Sequence, residues 1–218
     1  MTRSHLTLFL IFTSIYLTSI FFQPYPLSWI LKLLPIMVLL HFSWKRACET
    51  KEPSHKLFII GLFFSAFGDF FLGYDPVNWF VLGLGSFLVA HIFYILSLRP
   101  FLEKGEAIKR LPIVALYCIY GVSMFSLIYG GLGDLFIPVF VYMTVLLLMG
   151  ITTLLSQKAN KWLIIGGVSF ILSDSLIGLD KFYQPIPFES LFIMSTYYLA
   201  QFSLVKGLFV TNKTHKEK

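Results

Sequence analysis

Long apolar runs, separated only by short polar segments, constrain this chain more than any other feature of its sequence. Apolar residues make up 57% of its 218 positions and charged residues only 13%, about half the charged fraction of a typical soluble domain. A run of about 20 apolar residues is long enough to cross a bilayer as a helix. Lipid offers no hydrogen-bond partners to an open strand edge, so the spans must be helical. The fold class predicted is all-α, with eight spans near Leu6–Phe22, Leu27–Trp44, Leu57–Tyr74, Trp79–Leu98, Leu111–Tyr129, Leu135–Leu155, Trp162–Leu179 and Phe188–Val210.

Basic residues predict the orientation of these spans. In an eight-helix count they gather on one side, at Arg3, Lys45, Arg46, Lys51, Lys56, Arg99, Lys104, Lys109, Arg110, Lys158, Lys161, Lys213, Lys216 and Lys218. The opposite loops hold mainly acids, with Lys181 as their only base. By the positive-inside rule both termini are cytoplasmic. The net charge of +6 is therefore a topology signal and gives no support to nucleic-acid binding. We predict one transmembrane domain over residues 1–218, with a short basic tail at 213–218.

Two aspartates interrupt the apolar runs, Asp69 in the third span and Asp174 in the seventh. A carboxylate is costly to insert into a bilayer, so an acid at this depth is a functional candidate. Each is preceded by a small residue and followed four positions later by glycine. Small residues on the same helical stripe favour close helix packing, which turns the acids towards protein. For one aspartate a packing role would be as good an explanation, but two at equal depth favour function.

The two halves of the chain contain similar residues in the same order. Asp69 and Asp174 lie 105 positions apart, while Pro35 precedes Pro138 by 103 and His91 precedes Gln201 by 110. Landmarks that keep their order and offset predict a four-plus-four internal repeat, with halves of about 1–104 and 105–212. Four helices per half give both halves the same orientation, related by an axis along the membrane normal. This axis would bring the two carboxyl groups face to face at one depth.

A pair of carboxyl groups in a dry cavity can serve as acid and base. Desolvation and like-charge repulsion favour the neutral form of one of them, which yields an acid beside a base that share a proton. The pair titrates as a unit, so the roles stay open; Ser173 next to Asp174 favours Asp174 as the acid. His91 inside the fourth span is either a packing residue or a proton carrier. Lys32 either reaches the interface, binds a lipid phosphate or neutralises an aspartate. One histidine and two aspartates give too few ligands for zinc, so no metal and no cofactor are expected.

Short motifs along the chain resemble the lysoplasmalogenase (YhhN-like) family. They are Lys32-x-x-Pro35, Ser65-x-x-Gly68-Asp69, Ala90-His91-x-x-Tyr94, Pro138-x-x-x-Tyr142, Ser173-Asp174-Ser175 and Tyr197-x-x-Ala200-Gln201. The resemblance implies an eight-helix membrane enzyme that hydrolyses the vinyl ether of a lysophospholipid, the lysoplasmalogen. The hydrolysis would release a fatty aldehyde and glycerophosphocholine or glycerophosphoethanolamine. Asp69 and Asp174 would be the catalytic residues. The supporting or substrate-binding residues would be Lys32, Ser65, His91, Tyr94, Tyr142, Ser173, Tyr197 and Gln201.

Two other functions stay open on the sequence alone. A parallel repeat with intramembrane acids is also typical of a proton-coupled transporter of lipids or small molecules. A metal-dependent amide hydrolase of the ceramidase type is the other. Compact loops suggest the bacterial inner membrane as the location. Neither the headgroup preference nor the oligomeric state follows from the sequence.

Overall fold

Eight long helices form the described part of the protein. A computed structural model describes residues 3–102, 110–156 and 160–209. The helices are α1 (Arg3–Ser19), α2 (Ser28–Thr50), α3 (Pro53–Tyr74), α4 (Phe80–Leu98), α5 (Leu111–Ile128), α6 (Phe136–Leu155), α7 (Lys161–Phe182) and α8 (Glu189–Phe209). The predicted basic tail at 213–218, the boundary between the halves at 104/105, and Lys104, Lys109 and Lys158 lie outside the described residues, as does Val210 at the end of the eighth predicted span.

The helix boundaries follow local chemistry. Helix α3 starts at Pro53, since proline lacks an N–H that the first turn could not use and its φ suits a helix. Helix α7 starts after Asn160, whose side chain accepts hydrogen bonds from the backbone N–H groups of Trp162 and Leu163. That N-cap satisfies two donors that would otherwise be unpaired. Helix α3 therefore begins four residues before its predicted span, at Pro53 rather than Leu57, and α7 begins one residue before its own, at Lys161 rather than Trp162.

Six of the eight helices are long and apolar enough to cross a membrane. These segments are Arg3–Phe22, Pro53–Tyr74, Phe80–Phe101, Leu111–Gly131, Gly133–Leu155 and Lys161–Phe182. The two remaining helices, α2 and α8, are as long but more polar, because α2 contains Lys32, Lys45 and Arg46 and α8 contains three serines, two tyrosines and Gln201. Both lie against other helices: α8 packs on α7, α2 and α1, and α2 also packs on α1 and α3. Protein, not lipid, surrounds much of their polar surface.

The closest helix pairs are α3 with α4 and α7 with α8. At the α7–α8 contact, glycine permits the approach: a Cβ at Gly166 would lie 2.9 Å from the backbone nitrogen of Leu204, and one at Gly207 2.8 Å from that of Leu163. The core runs through the centre of the bundle and includes the fully buried Tyr94, Phe170 and Tyr198. These contacts fix the helices that carry the polar groups described next.

Candidate active site

Asp69 on α3 lies in the centre of the bundle with 1% of its surface exposed. The hydroxyl of Tyr197, from α8, donates a hydrogen bond of 2.6 Å to its Oδ2. Its Oδ1 lies 3.6 Å from the ammonium Nζ of Lys32, on α2. Of the three alternatives for Lys32, the structure therefore realises the one in which the lysine neutralises an aspartate. A buried charge needs such a partner, because an unpaired ion in a dry interior is strongly destabilising.

A chain of hydrogen bonds continues from Asp69 through α8 to α4. Gln201 donates through Nε2 to the Tyr197 hydroxyl at 3.2 Å and accepts through Oε1 from the Tyr94 hydroxyl at 3.0 Å. The Ser65 hydroxyl lies 3.0 Å from the same Tyr94 oxygen. Four of the predicted supporting residues thus belong to one connected network. We call the sequence of donors from Gln201 through Tyr197 to Asp69 the Asp69 triad.

Asp174 on α7 has a second, separate set of partners. The Tyr142 hydroxyl, from α6, donates a hydrogen bond to its Oδ2. His91, from α4, is fully buried, and its Nε2 lies 3.2 Å from the Tyr142 hydroxyl and 3.5 Å from Asp174 Oδ2. We call His91, Tyr142 and Asp174 the Asp174 triad. It unites three predicted site residues that lie on three different helices.

The tautomer of His91 follows from its other nitrogen. Among the described residues, Nδ1 of His91 has no hydrogen-bond partner. A buried donor without an acceptor is costly, so the neutral ring is better accommodated with its proton on Nε2. His91 then donates to Tyr142, and Tyr142 donates to Asp174.

The two triads lie side by side, with aromatic rings between them. The Phe170 ring centroid is 4.6 Å from that of His91 and 5.5 Å from that of Tyr197. Among the described residues no hydrogen bond joins the two carboxyl groups. Each of them accepts a hydrogen bond from a different tyrosine. That the aspartates share one proton stays a prediction.

Ser173 lies outside both triads. Its hydroxyl donates a hydrogen bond of 3.1 Å to the backbone oxygen of Ile193, on α8. It therefore links α7 to α8. The argument that Ser173 holds the protonated form of Asp174 has no support from this contact. Adjacent positions on a helix point in different directions, which the sequence argument did not take into account.

An apolar cleft with a cavity volume of about 50 Å³ reaches Asp174. Its walls come mainly from α4, α5, α6 and α7 and include Leu84, Met124, Val139, Leu146, Ile171 and Ile177. Asp174 and Tyr142 bring polar atoms to this surface. A cleft of this kind can bind an aliphatic chain and present it to a carboxyl group.

A polar cleft with a cavity volume of about 340 Å³ adjoins the apolar one. The two clefts share Leu72, Phe80 and Ile177 in their walls. The charged side chains that line the polar cleft are Lys32, Asp180, Lys181 and Glu189. In the sequence, Asp180, Lys181 and Glu189 indicate only topology. The signal that links Lys181 to the site is its position seven residues after Asp174, two turns along the same helix face. Asp69 lines neither of these two clefts.

The described residues contain no group of three or more histidine, cysteine, aspartate or glutamate side chains that could hold a metal ion together. Cys48 and Cys118 are exposed and free.

A bundle of apolar helices with one buried and one partly buried carboxylate, each partnered, and an apolar cleft defines an integral membrane protein with a candidate acid–base site. Residues 27–208 match the YhhN family, and the chain belongs to that family.

Curated relatives of the chain are lysoplasmalogenases. It is 33% identical to the lysoplasmalogenase of Mycobacterium bovis over 152 residues, which cover 68% of this chain and 58% of that protein. It is 33% identical to human lysoplasmalogenase TMEM86A over 197 residues (82% and 77% of the two chains). It is 32% identical to mouse lysoplasmalogenase TMEM86B over 185 residues (84% and 76%). The match thus spans little more than half the length of the mycobacterial relative. No solved structure matches the chain.

Proposed function

We propose that this protein is a membrane hydrolase that cleaves the vinyl ether bond of lysoplasmalogens. The products are a fatty aldehyde and glycerophosphocholine or glycerophosphoethanolamine. The names of the relatives support the reaction class. The observation that carries the proposal for this chain is Asp174, which lines an apolar cleft and is hydrogen-bonded to a tyrosine that in turn contacts a buried histidine.

The two triads have the same order of groups but different chemistry. In each, a side-chain nitrogen contacts a tyrosine hydroxyl, and that hydroxyl donates to an aspartate. In the Asp174 triad the nitrogen belongs to the imidazole of His91, and in the Asp69 triad it belongs to the amide of Gln201. Asp174 lines the apolar cleft, whereas Asp69 lines neither cleft and is paired with Lys32. Asp174 is therefore the acid that exchanges a proton with the substrate.

The reaction needs one proton donor and one water molecule. Protonated Asp174 adds its proton to the alkene carbon remote from the ether oxygen, and the other alkene carbon becomes part of an oxocarbenium ion. Water adds to that carbon and gives its proton back to the Asp174 carboxylate, which leaves a hemiacetal. The hemiacetal collapses, with proton transfer, to the aldehyde and the glycerol alcohol. No nucleophile on the protein is consumed, and general acid–base catalysis suffices.

Asp69 contributes a fixed negative charge. Its ion pair with Lys32 and its hydrogen bond from Tyr197 favour the carboxylate form. A carboxylate beside the site stabilises the positive charge that develops on the oxocarbenium ion. Since Asp69 lines neither cleft, it acts through space and through the order it imposes on Lys32 and Tyr197, whereas Asp174 contacts the substrate.

We also propose that all eight helices cross the membrane as two parallel repeats with cytoplasmic termini, as in a bacterial inner-membrane protein. Three pairs support the repeat, each 105 positions apart: Gly61 and Gly166, Asp69 and Asp174, Gly73 and Gly178. The helix contacts are consistent with this repeat, in which α1–α4 correspond to α5–α8. The contact of α3 with α4 corresponds to that of α7 with α8, and the contact of α4 with α6 corresponds to that of α8 with α2. Each aspartate has one partner on the helix before it in its own half and one on the last helix of the other half.

Aldehyde release from a purified preparation tests the function. The protein is incubated in detergent with 1-alkenyl-glycerophosphoethanolamine, and the aldehyde is trapped and quantified by mass spectrometry. Asp174→Asn is expected to abolish release and Asp69→Asn to reduce it strongly, while Asp134→Asn, an exposed carboxylate in the α5–α6 connection, serves as the matched control. Full activity in both Asp69→Asn and Asp174→Asn would refute the mechanism. Flux of an unmodified solute into proteoliposomes, with no aldehyde, would favour a transporter instead.

A further inference from the structure

We infer that the polar cleft is the headgroup site of the substrate, in which Lys181 binds the phosphate and Glu189 binds the amine of a zwitterionic glycerophospholipid headgroup. The inference rests on the proposed function and specifies which part of the substrate each cleft takes. It assigns a binding role to two residues outside both triads.

The geometry of α7 connects the two clefts. Asp174 lines the apolar cleft, Ile177 lines both, and Lys181 lines the polar cleft. Seven helical residues rise about 10 Å, and two turns return to nearly the same face. In a lysoplasmalogen about seven bonds join the reactive alkene carbon to the phosphorus, and an extended run of that length spans roughly 8 Å. A substrate with its alkene at Asp174 therefore has its phosphate within reach of the Lys181 side chain.

Lys181 is free to take a phosphate. The ion pairs of the described residues do not include it; its ammonium lies 4.2 Å from the centroid of the Phe80 ring, which is part of the wall between the clefts. Lys32, the other lysine of the polar cleft, is paired with Asp69. An exposed ammonium held over an aromatic ring at the boundary between an apolar and a polar cavity suits the phosphate of a lipid whose chain enters the apolar side.

Acidic groups complete the zwitterionic match. Glu189, the first residue of α8, lines the same cleft and accepts a hydrogen bond from Ser190. Asp180 accepts a hydrogen bond from the backbone N–H of Ile186, which commits one of its oxygens to the α7–α8 connection. The partner of Glu189 is a side-chain hydroxyl, which can turn away, whereas that of Asp180 is a backbone N–H, so Glu189 is the better placed of the two for an incoming ammonium group. One lysine and one glutamate in one cleft, neither of them in an ion pair of the described residues, complement a phosphate and an amine.

Three substrates of decreasing headgroup size test the assignment. They are 1-alkenyl-glycerophosphoethanolamine, 1-alkenyl-glycerophosphate, which lacks the amine, and 1-alkenylglycerol, which lacks both charged groups. Lys181→Gln is expected to lower kcat/KM roughly tenfold, mainly through KM, for the two phosphate-containing substrates and to leave alkenylglycerol unchanged. Glu189→Gln is expected to lower kcat/KM for the ethanolamine substrate alone. Lys161→Gln, at the opposite end of α7, is the matched control.

Binding separates the headgroup site from the reaction. Lysophosphatidylethanolamine, whose ester the proposed reaction does not cleave, is titrated against the purified protein, and the Kd is compared between wild type and Lys181→Gln. If wild type releases no aldehyde from any substrate but Lys181→Gln still weakens this binding, the proposed function fails and the headgroup site stands. If Lys181→Gln and Glu189→Gln change neither binding nor the ranking of the three substrates, or affect all three equally, the headgroup assignment is overturned.

Discussion

Replacing Lys32 with methionine tests the electrostatics of the site directly. Methionine keeps an unbranched side chain of similar length and removes the charge, so Asp69 loses its ammonium partner. The Lys32 and Asp69 side chains are 11% and 2% exposed, and their closest charged atoms are 3.6 Å apart. At an effective dielectric constant of about 20, two unit charges at that separation interact by about 5 kcal/mol.

The expected destabilisation is somewhat smaller than this attraction. Removing one partner of a buried ion pair typically costs about 3–5 kcal/mol, since it leaves the other charge uncompensated. For a chain of this size that corresponds to a fall in Tm on the order of 10 °C. Lys45→Met, the same change at an exposed position of α2, is the matched control and should shift stability by less than about 0.5 kcal/mol.

The double variant Lys32→Met/Asp69→Asn separates charge from packing. Asparagine keeps the shape of Asp69 without its charge, so the second substitution should restore most of the stability that the first one removes. Thermal unfolding of the four proteins in one detergent gives the double-mutant cycle. The reasoning is refuted if Lys32→Met unfolds at the wild-type temperature, or if Asp69→Asn brings no recovery in the Lys32→Met background.

Three further variants probe other parts of the site. His91→Gln gives the Asp174 triad the same groups as the Asp69 triad; it should fold normally and lose aldehyde release by about 10²-fold or more, the usual scale of a lost acid–base group, whereas wild-type activity would show that the reaction does not need the imidazole. Gly178→Leu should fill the apolar cleft and shift the preference in an alkenyl chain-length series to shorter chains, while Gly178→Ala, whose Cβ would meet Ile128 at 3.7 Å, should not; an unchanged series would mean that the chain binds elsewhere. Gly207→Ala places a methyl group 2.8 Å from the Leu163 backbone and should destabilise the fold by about 1–3 kcal/mol in thermal unfolding, against no change for Gly130→Ala, which has open space around it.

Much of the architecture could be predicted from apolar periodicity because the bilayer leaves few alternatives. Six helices satisfy the length and hydropathy of a membrane span at the predicted places. Helices α2 and α8 are the instructive exceptions: their polar residues, such as Lys32 and Gln201, face other helices, so hydropathy understates them. The same exceptions carry much of the site, since a polar side chain tolerated in the bundle needs a partner there.

The partners themselves could not be predicted from the sequence. The Tyr197–Asp69 hydrogen bond joins residues 128 positions apart, and no local pattern encodes that pairing. The sequence left Lys32 with three alternatives and His91 with two. The structure pairs Lys32 with Asp69 and places His91 against Tyr142, while a role of His91 as proton carrier stays a prediction. Ser173 shows the opposite case, because its position next to Asp174 in the sequence suggested a contact, whereas its hydroxyl bonds to Ile193.

Charge balance explains how such a site can move a proton in a dry interior. Lys32 and Asp69 form an ion pair with no net charge. Protonation of Asp69 would leave the lysine unpaired, so in the proposed reaction the protonation state of Asp69 does not change. In the other half, protonated Asp174 and neutral His91 also carry no net charge. In the proposed reaction Asp174 protonates the alkene, and the resulting carboxylate and oxocarbenium ion again sum to zero. That step exchanges one neutral arrangement for another, which avoids the large desolvation penalty of an isolated buried charge. Asp69 is paired with a lysine, whereas the ion pairs of the described residues give Asp174 no lysine or arginine partner, which is why two equivalent aspartates can take unequal roles.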